Sequence, residues 1–220
     1  MNIRTLAALL VLAAAGCTVD NNASVRIANT CAPPEPGTGG GCTYSATCDT
    51  VWMGNLWVDT RYTSPSPDPS DGTLEWPFEF ENQRGSNLDR EGGTDTATAF
   101  VTGYKIHYVL LSGPAGTNIP DVRVEDSSRT VKPGGSTVIM IPVIPRSVAT
   151  LLGGGALLAT VRAEIRATGA YADGQAFETG PYSVVVDIVN NRGVYYGCPA
   201  VGMFIFGCPQ LGQTAVTTCE

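Results

Sequence analysis

The chain has 220 residues, 43% of them hydrophobic, with 20 acidic against 13 basic residues and a net charge of −7. The acidic balance and a lysine content limited to Lys105 and Lys132 leave no basic patch for nucleic acid or anionic headgroups, which excludes nucleic acid as a partner class. The length suits one buried core with appendages rather than two full domains, and 26 glycines with 15 prolines imply many turns.

Residues 1–16 read as an export signal. One positive charge, Arg4, precedes the apolar run "LAALLVLAAA", Leu6 to Ala15, which is too short to span a bilayer but has the length of a signal-peptide core. The following "AAGC" resembles the lipobox of bacterial lipoproteins, with Ala14 where the usual pattern has Leu, Val or Ile. The resemblance implies that Cys17 is acylated and becomes the new N-terminus, and Thr18 in place of an Asp implies the outer membrane, on its periplasmic face or at the cell surface. A multiply acylated cysteine holds a bilayer stably without a transmembrane helix. The alternative is an ordinary signal cleaved near Ala15. Loss of the signal removes Arg4 and no acid, leaving 12 basic and 20 acidic residues.

Residues 17–50 are polar, then rich in Pro and Gly ("PPEPGTGGG"), and read as a flexible tether that carries cysteines. From 51 to 190 the dominant period is two. In "TLEWPFEFEN", Leu74, Trp76, Phe78 and Phe80 share one face, while Glu75, Glu79 and Glu81 share the other with Pro77; the proline places this strand at an edge or a bulge. "ATAFVTGYKIHYVLL" puts Phe100, Tyr104, Ile106, Tyr108 and Leu110 on the core side, opposite Val101, Lys105, His107 and Val109. Val161, Ala163, Ile165 and Ala167 alternate with Arg162, Glu164 and Arg166; "ADGQ" at 172–175 then supplies a tight turn, and Tyr182, Val184, Val186 and Ile188 return. Shorter strands are expected near "VWMGNLWVDT", "DVRVED" and "STVIMIPV", and one short helix at "RSVATLLGG". Seven or eight such strands predict an all-β, antiparallel sandwich of immunoglobulin or fibronectin-like type, followed at 191–220 by a cysteine-containing tail packed on the domain.

The segments "CTYSATCD", "FENQRGSNLDREGGTDTATAFVTGYKIHYV" and "VRAEIRATGAYADGQAFETGPYSVVVDIV", ahead of a cysteine-containing tail, together resemble a group of uncharacterised outer-membrane lipoproteins from high-GC Gram-negative bacteria. The resemblance covers residues 40 to 220 and implies location and fold. It implies no activity, because none is assigned to the group.

With Cys17 set aside as the anchor, Cys31, Cys42 and Cys48 precede the sandwich and Cys198, Cys208 and Cys219 follow it. An even number in an exported chain predicts three disulfides, with fifteen connectivities open; a bridge between the two clusters would fasten the tail to the domain. The spacings contain no C-x-x-C pair and no nearby histidine, which argues against a metal site.

His107 is the only histidine and there is no G-x-S-x-G elbow, so it reads as an exposed strand residue. The glutamates of "TLEWPFEFEN" follow from strand alternation alone, and "LLGGGALL" lacks the Lys-Ser/Thr of a phosphate loop. "NLDREGGTDTAT" places Asn87, Asp89, Glu91 and Asp95 around Gly92 and partly mimics a calcium loop, without the Glu at its twelfth position. Trp52, Trp57, Tyr195, Tyr196, Phe204 and Phe206 are either a surface patch or core and tail packing. The expected function is a lipid-anchored, non-enzymatic envelope or surface protein, a structural or binding module that meets an envelope protein or glycan and needs no cofactor. The alternatives are a hydrolase or carbohydrate-active enzyme with loop carboxylates, and a calcium-dependent binding domain.

Overall fold

A computed structural model describes residues 24–32, 47–59, 74–87, 95–113, 118–152, 159–189, 206–207 and 214–215. Two sheets make the fold. The smaller has the order β1-β3-β6, from β1 (Val25–Thr30), β3 (Leu74–Asn82) and β6 (Ser136–Ile144). The larger runs β2-β9-β7-β4-β5, from β2 (Leu56–Asp59), β9 (Tyr182–Val189), β7 (Ala159–Tyr171), β4 (Ala99–Ser112) and β5 (Val122–Val131); β8 (Ala176–Glu178) adds to β7 beyond β9. All pairs are antiparallel except β2 with β9. Lettered A, B, C, C′, E, F and G, strands β1, β3, β4, β5, β6, β7 and β9 read A-B-E against G-F-C-C′, an immunoglobulin-type order. The expected all-β sandwich is the observed fold. Helix α1 (Arg146–Leu152) follows β6 and buries Val148, and the two-residue strands β10 (Phe206–Gly207) and β11 (Thr214–Ala215) pair with each other.

Alternation builds the core. Leu74, Trp76, Phe78 and Phe80 are all buried, as are Val161, Ala163, Ile165 and Ala167 on the facing sheet. Each Val, Leu, Ile or Phe side chain removed from water contributes about 1.5–3 kcal/mol. Tyrosines stitch the two layers: Tyr108 donates to the Val143 carbonyl at 2.8 Å, and Tyr182 accepts from the Thr30 N–H at 3.1 Å while meeting Phe78 edge-on at 5.8 Å. The Asp-Gly turn forms where expected, with Gly174 at φ 86° and Gly174 N–H donating to Tyr171.

Three expectations change. The segment 17–50 is not tether throughout, since Val25–Thr30 forms β1 with Val25 and Ile27 in the core, and residues 47–52 return beside it through the Cys31–Val51 bridge. Strand β3 is central rather than an edge, and the register shifts in its two pairings, opposite Phe80/Glu79 and at Leu74/Glu75, lie on either side of Pro77 rather than at it. Residue 77 faces the point where β1 has ended. The Cys31 N–H donates to the Pro77 carbonyl at 2.9 Å, and the Cys31 carbonyl, which a ladder would pair with an N–H at 77, accepts the Trp76 indole N–H at 2.9 Å. Finally, Val101 is buried and Phe100 is not, the reverse of strict alternation. The register of β4 shifts between Val101 and Gly103 against both neighbours, and one extra residue in a strand exchanges its faces. Pro142, by contrast, sits on β6, an edge strand, where proline is tolerated.

Candidate functional site: a charged groove on the larger sheet

The outer face of the larger sheet carries a groove of about 610 Å³ that involves β4, β5, β7 and β8. Beyond the bulge, alternation on β4 turns Lys105 and His107 outward. Register does the rest. Lys105 stands directly opposite Arg123 of β5 on one side and Arg166 of β7 on the other, and His107 stands opposite Glu164. Three cations therefore lie abreast on adjacent strands, an arrangement that costs stability because like charges directly opposite repel.

Acidic neighbours offset this only in part. Glu178 of β8 pairs with Lys105 and approaches Arg166 at 3.8 Å. His107 Nδ1 lies 2.6 Å from Asp121, and Glu164 pairs with Arg162 at 3.0 Å. The Arg123 side chain has no hydrogen-bond or ion-pair partner among the described residues. The Lys105–Glu178 partners are 40% and 36% exposed, and pairs of that exposure contribute between nothing and about 1 kcal/mol. Glu178 is thus weakly held between the two cations. The sequence showed no basic patch because Arg123, Lys105 and Arg166 are far apart along the chain. The pairing of β5, β4 and β7 gathers them.

A second titratable group lies at the seam where β5 approaches β3 and β6. The Tyr104 hydroxyl donates to Asp126 at 3.1 Å; burial first, then the Asp126 charge, pushes its pKa above the usual tyrosine range. Glu75 is raised above the ordinary glutamate value by burial and then by Asp126. The other two glutamates of β3 are cross-strand partners, Glu79 accepting from Asn29 at 2.8 Å and Glu81 bound to Arg26 at 2.6 Å, as plain alternation predicts.

Of the calcium-loop residues, Asp89 and Glu91 lie outside the described residues. Asp95 closes its own turn, accepting from Ser86 Oγ at 2.6 Å and from the Ala97 N–H at 3.0 Å; the Ser86 bond comes first among the causes that lower its pKa. Asn87 Nδ2 donates to Thr96. No group of three or more metal-ligating side chains occurs among the described residues. Cys31 and Cys48 form a disulfide with Cα atoms 5.3 Å apart, inside the N-terminal cluster. Cys17, Cys42, Cys198, Cys208 and Cys219 lie outside the described residues, as do Tyr195, Tyr196 and Phe204; Trp52 packs on the core 5.6 Å from Trp76. No helix among the described residues is long and apolar enough to cross a membrane.

No family model, curated protein or solved structure matches the chain.

Proposed function

We propose that this chain is a lipid-anchored, non-enzymatic binding module of a bacterial outer membrane, held through acylated Cys17 and using the outer face of its larger sheet to engage an envelope ligand. The observation that carries the binding reading is the cation row of the groove, which the fold maintains against its own stability. Anchorage is supported by the export signal and the "AAGC" sequence.

The position of β1 adds a geometric consequence. Only seven residues, Thr18 to Ser24, separate the anchor from Val25, so the link spans at most about 25–30 Å even when fully extended. The sandwich then stands close to the lipid, with the start of β1, the end of β3 and the Ala172–Gln175 turn nearest to it. Metabolic labelling with radioactive palmitate tests the anchor: wild type takes up label and Cys17→Ala does not. Equal label in both would remove the lipoprotein reading.

A further inference from the structure

We infer that the groove on β4, β5, β7 and β8 binds an acidic saccharide, with Arg123 and Lys105 receiving its carboxylate; this rests on reading the chain as a binding module.

Four observations lead there. First, Arg123, Lys105 and Arg166 form a row about 10 Å long, since neighbouring strands lie about 4.8 Å apart. Second, the chain already seats one carboxylate in that row. Glu178 lies between Lys105 and Arg166, which leaves the Arg123–Lys105 side as the equivalent seat without an occupant among the described residues. A guanidinium fork is the natural match for a planar carboxylate.

Third, a volume of about 610 Å³ exceeds what one small anion needs and suits a ring-sized ligand. Fourth, the lining mixes donors with acceptors. Asp121 and Glu164 offer carboxylate oxygens beside the cations, and Ile106 and Val122 are the apolar lining residues. A ligand carrying hydroxyls as well as an oxyanion satisfies both kinds, the hydroxyls donating to Asp121 and Glu164 and the carboxylate accepting from Arg123 and Lys105. An acidic peptide of Asp and Glu offers only backbone N–H groups as donors, and where these pair with the β5 edge they are not free for Asp121 and Glu164.

The test uses the full chain in detergent, titrated with tri-galacturonate and followed by calorimetry. Maltotriose serves as the neutral control and tri-glutamate as the acidic peptide control. Saturable binding of tri-galacturonate is expected, with neither control binding comparably. Arg123→Gln, an exposed change that relieves repulsion in the row and so does not lower the melting temperature, weakens binding about 10-fold or more, the worth of a charge-assisted hydrogen bond. Glu178→Gln acts in the opposite direction, tightening binding about 2- to 5-fold by removing the internal competitor. Arg26→Gln, on the other sheet, changes nothing.

Absence of saturable binding overturns the inference, as does a wild-type affinity in Arg123→Gln or a loss in Glu178→Gln. Equal binding of maltotriose overturns the role of the cations, and equal binding of tri-glutamate overturns the saccharide in favour of an acidic peptide. Equal binding of either control overturns this inference while keeping the binding-module reading, and none of these results touches the palmitate experiment, so failure of this inference is separable from failure of either part of the proposed function.

Discussion

Trp76→Phe isolates the device that lets a proline sit in a central strand. The substitution keeps an aromatic ring at a site 1% exposed but removes the indole N–H, the donor to the Cys31 carbonyl at 2.9 Å. Pro77 has no N–H to take its place, so the carbonyl of Cys31, itself 3% exposed, is left without this partner. An orphaned buried acceptor costs about 1–3 kcal/mol, and the smaller ring adds on the order of 1 kcal/mol of lost packing against Trp52. The expected loss is about 2–4 kcal/mol by urea denaturation of the full chain. Pro77→Ala alone costs about 0.4–1 kcal/mol, because it frees the unfolded chain. Combined with Trp76→Phe it supplies an N–H opposite Cys31 and recovers about 0.5–1.5 kcal/mol of the single-mutant loss. Strict additivity of the two changes would refute the account, since the pair would then share no acceptor.

Further outcomes follow from other sites. Gly169→Ala should destabilise by about 1–3 kcal/mol, measured by the same denaturation, because a Cβ there would run into the Phe100 carbonyl oxygen and the Phe177 ring. Cys31→Ser with Cys48→Ser should cost about 3 kcal/mol, the loop-closure term for a separation of 17 residues, and peptide mapping without reductant should recover the two cysteines linked. Glu75 has a raised pKa, so the native state binds more protons than the unfolded chain from 4.5 upward; its contribution is fully present below 4.5 and is lost as pH rises through the folded value. Glu75→Gln should therefore gain stability relative to wild type as pH rises over that window, and a flat difference would contradict the burial argument. Asp95 has the opposite sign: its stabilisation is present above 3.8 and is lost as pH falls through its lowered folded value, so Asp95→Asn should flatten that acid limb of the stability curve.

Legibility in the sequence followed the length and purity of each pattern. Val161 to Ala167 alternate without interruption and their buried face was readable residue by residue, as was the Asp-Gly turn that follows. Strand β1 was hidden because its apolar pair, Val25 and Ile27, sits in a polar stretch next to "PPEPGTGGG", and its stability comes from pairing with β3 rather than from its own composition. Pro77 misled because the rule against central prolines concerns one missing hydrogen bond, and a side chain one residue away supplied it.

The bulge at 101–103 connects the misread core to the unread site. Gly103 has no room for a side chain, since a Cβ would approach the Val124 carbonyl oxygen at 2.7 Å, and the register shift there buries both Val101 and Tyr104. That shift fixes which residue of β4 meets Arg123 and Arg166. Moving β4 by one residue would put Tyr104 or Ile106 opposite them and turn Lys105 toward the core, so hydrophobic burial on the inner face enforces cation alignment on the outer one. Away from the bulge, the sequence displays which residues point outward on each strand. It does not display the pairing between strands, and the groove exists only in that pairing.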